Sequence, residues 1–118
     1  MKRIIIAEDD QAISEVVKII LEGEGYITEV VSVENVLLHK IFHEPPNLLL
    51  LDIWLDGSDG GKIAQIIRDD VRTAGLPIII VSANNQTEEI ARSVGANDFL
   101  QKPFNIDDLL RKVDEHIA

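Results

Sequence analysis

The sequence predicts an α/β domain in which a parallel sheet of five strands is covered by helices on both faces. Three observations carry that reading: strand-like and helix-like segments alternate five times along 118 residues, three strand candidates are apolar without alternation, and the two clearest helical segments each show one apolar stripe. For that order of elements the compact solution is a doubly wound parallel sheet sandwiched between helices, in three layers joined by right-handed crossovers.

The strand candidates are Arg3–Ala7, Tyr26–Ser32, Leu48–Asp52, Pro77–Ser82 and Asn97–Gln101. Each is short, rich in leucine or β-branched residues, and bounded by turn or cap residues. Ile4-Ile5-Ile6, Leu48-Leu49-Leu50-Leu51 and Ile78-Ile79-Ile80-Val81 lack the alternation of a half-exposed strand, which places them where both faces are covered. The first helix is read from Ile13, Val16, Val17, Ile20 and Leu21, the spacing of one buried face. The last is read from Ile106, Leu109, Leu110, Val113 and Ile117, opened by Asn105 as N-cap with Pro103 left outside. Weaker stripes at Val33–Phe42, Ile63–Ile67 and Glu88–Val94 fill the remaining intervals.

A length of 118 residues with 46% hydrophobic composition suits one domain spanning 1–118, with no linker, internal repeat or output domain expected within it. No apolar run approaches the roughly 18 residues of a membrane span. Met1-Lys2-Arg3 opens like a secretory signal, but Glu8-Asp9-Asp10 breaks the apolar run at once, so the segment reads as a first strand. With no cysteine there is neither a disulfide framework nor a thiolate metal site, and a cytoplasmic location is expected. The formal charge of −10, from 21 acidic against 11 basic side chains, argues against direct nucleic-acid binding, because a phosphate backbone needs a basic surface. Most of these carboxylates read as solvated surface.

In doubly wound sheets the ligand site lies beyond the carboxyl ends of the strands, where the strand order reverses. Strand one runs into Glu8-Asp9-Asp10, strand three ends in Asp52, strand four in Ser82 and strand five in Lys102-Pro103. Taken singly, each has an ordinary reading. Asp10 is assigned to capping the first helix, Asp52 and Ser82 could be turn residues, and Lys102 a solvated lysine. In order, at four strand ends, they form a constellation of carboxylates, a hydroxyl and an ammonium.

That constellation resembles the response-regulator receiver domains, the phosphoacceptor modules of two-component signalling. The resemblance runs from Ile4 to Ile117 and includes the loop Asp52-Ile53-Trp54-Leu55-Asp56-Gly57-Ser58-Asp59-Gly60, where Asp56 replaces the usual proline and Gly57 and Gly60 supply backbone freedom. It also includes Gly95-Ala96-Asn97-Asp98-Phe99-Leu100-Gln101-Lys102-Pro103-Phe104, similar to the family's GADDYLxKPF. The resemblance implies a flavodoxin-like strand order of 2-1-3-4-5. It implies that Asp52 accepts a phosphoryl group from a sensor histidine kinase or histidine phosphotransfer protein. Mg²⁺ would be held by Glu8, Asp9, Asp52 and the backbone carbonyl of Trp54, while Lys102 and Ser82 meet the phosphoryl oxygens. Trp54, Ala83 and Asn84 would flank that group. Ser82 and Phe99 would act as the switch, altering the face formed by helix four, strand five and helix five; Phe99 equally reads as a core ring, and Phe104 as packing.

The chemistry requires these residue types. A carboxylate attacks phosphorus near neutral pH only where neighbouring negative charge is neutralised. Three carboxylates offer hard oxygens but too few for a closed cage, which suits Mg²⁺ that keeps waters and takes phosphate oxygens. Such a domain is not an enzyme in the ordinary sense, since it catalyses only its own phosphorylation and dephosphorylation. Its output would pass to an unknown partner or a domain outside this sequence, from a monomer or a phosphorylation-dependent dimer.

Rival readings fail on particular residues. A flavodoxin-like FMN-binding module shares the alternation, but Glu8-Asp9-Asp10 would repel a flavin phosphate. A haloacid-dehalogenase-like phosphatase carries a second aspartate two residues after its nucleophile, where Trp54 stands. Asp52, Asp56 and Gly57 match three positions of an EF-hand loop, but Trp54 and Ile63 replace ligands at its third and twelfth positions. His39, His43 and His116 read as scattered surface or helix-end residues.

Overall fold

The computed structural model describes residues 1–118 except Asp56. Its elements are β1 (Arg3–Ala7), α1 (Gln11–Gly23), β2 (Ile27–Val31), α2 (Glu34–His43), β3 (Leu48–Asp52), β4 (Trp54–Leu55), β5 (Ser58–Asp59), α3 (Gly60–Asp69), β6 (Ile78–Ser82), α4 (Thr87–Ser93), β7 (Asp98–Gln101) and α5 (Ile106–His116). Five strands form one sheet in the order β2-β1-β3-β6-β7. All its pairings are parallel, so the expected order 2-1-3-4-5 of sheet strands is the one observed. The order reverses between β1 and β3.

Unbroken apolar runs become two separate cores because successive side chains on a strand point to opposite faces. Ile5, Leu49, Leu51, Ile78 and Ile80 enter one core with Leu37 and Ile41 of α2, Ile63 and Ile67 of α3, and Ala91 of α4. Ile4, Ile6, Leu48, Leu50 and Ile79 enter the other with Val17 and Leu21 of α1 and Leu109 and Val113 of α5. Each such side chain contributes roughly 1.5–3 kcal/mol relative to exposure. Together the central strands are held from both sides, and their carboxyl ends form a rigid platform.

Two helix faces differ from the sequence expectation. In α1 the residues turned fully inward are Ser14, Val17 and Leu21, whereas Val16 is 55% exposed. Ser14 tolerates burial because its hydroxyl donates to Gln11 O at 3.2 Å. Five apolar positions cover a wider arc than the sheet can contact, and the surplus lines a cleft that Val16 and Ile20 share with Phe104 and Ile106. Ile106 is accordingly exposed in α5, whose buried face is centred on Leu109 and Val113. The caps agree with expectation: Asp10 accepts the Ile13 amide at 3.1 Å and Asn105 that of Asp108 at 2.7 Å.

The segment after β3 is an antiparallel ribbon, β4 paired with β5, which the sequence reading treats only as a loop. Gly57 turns it with φ +78°, the left-handed conformation that glycine adopts without steric cost. Asp56, the departure from the family's usual proline, lies outside the described residues. Gly60 acts through space rather than through φ. A Cβ there would lie 2.3 Å from the Asp52 carbonyl oxygen and 2.9 Å from Ile53 Cα, and its amide donates to Ile53 O at 2.6 Å. The start of α3 is thereby pressed against the end of β3.

Candidate functional site

Glu8 leaves β1, Asp52 closes β3, Ser82 closes β6 and Lys102 follows β7, so adjacent parallel strands bring four distant residues to one edge of the sheet. The Lys102 ammonium donates to Glu8 Oε1 at 2.6 Å and to Asp52 Oδ2 at 3.1 Å. Its backbone amide donates to Ser82 O at 2.7 Å, which anchors the residue to the end of β6, and the Lys102–Pro103 peptide is cis. Glu8 and Asp52 are both buried, while Asp9 stands at the surface. Carboxylate oxygens of all three lie within 4.8 Å of one another.

Burial is the largest single influence on Glu8 and Lys102, but it sets the direction only for Glu8. Loss of solvent, followed by the neighbouring Asp52 carboxyl, pushes Glu8 from its usual 4.5 up to about 7 against the opposing pull of Lys102. For Lys102 burial disfavours the charge, but the hydrogen bond to Glu8 and the two carboxylates outweigh it and hold the ammonium above its ordinary range. One lysine does not satisfy the group. Among the described residues Glu8 Oε2 is buried without a hydrogen-bond partner, and an oxygen in that state carries a desolvation cost of about 1–3 kcal/mol, more when charged. Hard donors around an unpartnered buried oxygen fit a small oxygen-binding cation such as Mg²⁺.

Around the carboxylates an open cleft of about 370 Å³ is lined by Asp9, Asp10, Asp52, Trp54, Ser82, Ala83, Asn84 and Lys102. Asp52 Oδ1 accepts the Trp54 amide at 3.2 Å, which orients the carboxylate, while the Trp54 indole is 63% exposed at the rim. Ser82 Oγ accepts the Asn84 amide at 3.0 Å, leaving the hydroxyl proton for another acceptor. Every sequence-predicted site residue except Phe99 lies in or against this cleft.

Phe99 sits behind it on β7, opposite Ile80 of β6, half-buried against the α2–α3–α4 core. It is neither a plain core ring nor a free one. The Lys112 ammonium lies 4.3 Å from the ring centroid and donates to Phe99 O at 2.5 Å and to Asp98 Oδ1 at 3.0 Å. The sequence reading does not single out Lys112 or the fully buried Thr87, whose hydroxyl bonds Asn84 O and reaches Ser82 O at 3.5 Å. A threonine opening a helix five residues after Ser82 carries a weak capping signal only; nothing in sequence points Lys112 at a ring thirteen residues away.

In this doubly wound sheet, acidic, hydroxyl and ammonium groups converge at the carboxyl ends of the strands, and residues 4–114 match the family model of the response regulator receiver domain. The chain belongs to that family, the receivers of two-component response regulators. It is 32% identical over 114 residues to the DNA-binding response regulator MtrA of Mycobacterium tuberculosis, covering 95% of this chain and 49% of MtrA. This chain thus spans about half the length of that relative. Among solved structures it is similar to a CheY-like response regulator receiver domain protein from Methanospirillum hungatei, with TM-score 0.87, 35% identity, and coverage of 98% of this chain and 92% of that one. It is also similar to the receiver domain of the sensor histidine kinase PA1611 from Pseudomonas aeruginosa, solved with magnesium coordinated in its active-site cleft, with TM-score 0.88, 26% identity, and coverage of 98% and 96%.

Proposed function

We propose that this domain is a Mg²⁺-dependent phosphoacceptor whose reacting group is the Asp52 carboxylate. The observation that carries the reading is the Lys102 ammonium bridging Glu8 and Asp52 beside the unpartnered Glu8 Oε2. Glu8, Asp9 and Asp52, with the Trp54 carbonyl, are the residues that would hold Mg²⁺, which when bound neutralises charge on the carboxylates and on the phosphoryl group.

An Asp52 oxygen forms the new bond to phosphorus as the donor's bond breaks, P–N in a phosphohistidine or P–O in an acyl phosphate, and the departing nitrogen or carboxylate oxygen keeps the electron pair. The Trp54 amide, already on Oδ1, holds the carboxylate's orientation. Lys102 exchanges one Asp52 oxygen for a phosphoryl oxygen, and the Ser82 hydroxyl donates to another, contacts that exist only in the phosphorylated state. The donors are a sensor histidine kinase, a histidine phosphotransfer protein or a small acyl phosphate.

Ser82 moving toward the phosphoryl group vacates space beside β7, and Phe99 turns into it, changing the face of α4, β7 and α5 that an output partner or attached domain reads. The domain works in the cytoplasm, as a monomer or a phosphorylation-dependent dimer, without contacting nucleic acid through its own acidic surface. Incubation with acetyl phosphate and Mg²⁺ adds one phosphoryl mass in this reading. Equal uptake in EDTA contradicts it.

A further inference from the structure

We infer that the last turn of α2 carries a second, chemically distinct cation site, a two-histidine site for a borderline divalent transition-metal ion such as Zn²⁺. The geometry that carries it is the pairing of His39 and His43, one helical turn apart, with ring centroids 4.0 Å apart and planes inclined by 26°. Both histidines are exposed on one side of the helix, and an i, i+4 histidine pair is the spacing by which a helix offers two imidazoles to one ion.

A second feature concerns the tautomer. His43 Nδ1 lies 2.9 Å from His39 O, and because a carbonyl oxygen can only accept, Nδ1 carries the proton and Nε2 keeps its lone pair. Metal-bound histidines are oriented in this way, by donating the other ring nitrogen to a backbone carbonyl or carboxylate. Among the described residues no hydrogen bond or ion pair holds the His39 ring, so rotation about χ2 can bring its nitrogen toward the ion bound by His43 Nε2.

The surroundings favour a cation. His43 is the final residue of α2, where the unsatisfied carbonyls give a partial negative charge. The intervening Lys40 is drawn off to Glu29, so its charge does not oppose an ion at the imidazoles. Two nitrogen ligands leave the remaining coordination positions to water, which makes this an open site on a surface helix. Imidazole favours Zn²⁺, Ni²⁺ or Cu²⁺ over Mg²⁺, whereas the hard oxygens of the acidic cleft suit Mg²⁺, so an excess of Mg²⁺ occupies the cleft while leaving the imidazoles to the transition-metal ion.

The test is calorimetric titration of Zn²⁺ into the full chain in millimolar Mg²⁺, with imidazole proton shifts followed by NMR. The expected result is one saturable site perturbing the His39 and His43 resonances, weakened at least tenfold in His39→Ala and in His43→Ala. It should be unchanged in Asp52→Asn, which alters the acidic cleft, and in His116→Ala, which alters the Asp98–Glu115–His116 group. Absence of Zn²⁺ binding overturns the inference. So does affinity that survives either α2 substitution, or that is lost with Asp52 or His116 instead.

Discussion

The Lys102 ammonium lies 3.1 Å from Asp52 Oδ2, a contact made across 50 residues of sequence by two strands separated in the sheet only by β6. Among the described residues it is the cation that pairs both buried carboxylates, Glu8 and Asp52, and its removal has two opposite consequences. Lys102→Ala leaves Glu8 and Asp52 facing each other without compensation. The cost is expected to be about 2–3 kcal/mol in EDTA, below the roughly 3–5 kcal/mol of stranding a fully buried charge because Glu8 can take up a proton. Mg²⁺ no longer competes with an ammonium in the variant. Thermal melts should therefore show a larger Mg²⁺-dependent gain in Lys102→Ala than in the wild type.

Gly60 is a sharper constraint than Gly57. An alanine Cβ at position 60 meets backbone atoms of Asp52 and Ile53, which cannot rotate away, whereas among the described residues beyond its chain neighbours nothing lies within 4 Å of a Cβ at position 57. Gly60→Ala should destabilise by about 1–3 kcal/mol through overpacking and also displace the Asp52 backbone. Gly57→Ala should cost only the left-handed φ, of order 1 kcal/mol. Urea unfolding measures both, and phosphate uptake should fall in Gly60→Ala alone.

Asp98 ties β7 to α5, with Oδ1 accepting from the Phe99 amide and Lys112 and Oδ2 lying 2.8 Å from His116 Nε2. Burial pushes its carboxyl up, but the Phe99 amide, Lys112 and His116 together hold it below the usual range. A depressed folded-state value means that the stabilisation is present above the unfolded value near 4 and is lost as pH falls through the folded one. Below about pH 4 the wild type should therefore lose stability more steeply than Asp98→Asn in acid-melting experiments. Parallel curves would remove Asp98 from the linkage.

Trp54 stands at the rim of the cleft, exposed on one side and lining it on the other. Hydrolysis of an acyl phosphate needs water in line with the breaking P–O bond, and an indole covering that path slows it, while the amide of Asn84 can position water. Trp54→Ala should shorten the phosphate half-life, and a tenfold change corresponds to about 1.4 kcal/mol of barrier. An unchanged half-life means that the ring points away from the approach.

The sheet is legible in the sequence because Ile4–Ile6, Leu48–Leu51 and Ile78–Val81 are apolar at every position, short and bounded by turn or cap residues, the combination expected of strands covered on both faces. The gathering of Glu8, Asp9, Asp52 and Lys102 follows from that sheet, since strand ends in a parallel array meet regardless of what lies between them. Less legible are features set by packing. The rotation of α1 that exposes Val16 depends on which part of a wide apolar arc the sheet contacts, and the role of Gly60 depends on a close approach between backbones. The spacing of His39 and His43 is visible in sequence, but the stacking and the tautomer are not. Lys112 is paired to Phe99 by the docking of α5, which no local pattern encodes.

The central claim is that Asp52 is the atom-level acceptor. Its most direct test is peptide-resolved mass spectrometry of the wild type and Asp52→Asn after acetyl phosphate and Mg²⁺. The expected result is one hydroxylamine-sensitive phosphoryl group on the peptide containing Asp52 and none on the variant. Equal incorporation in Asp52→Asn, or a hydroxylamine-resistant group on another peptide, would contradict it.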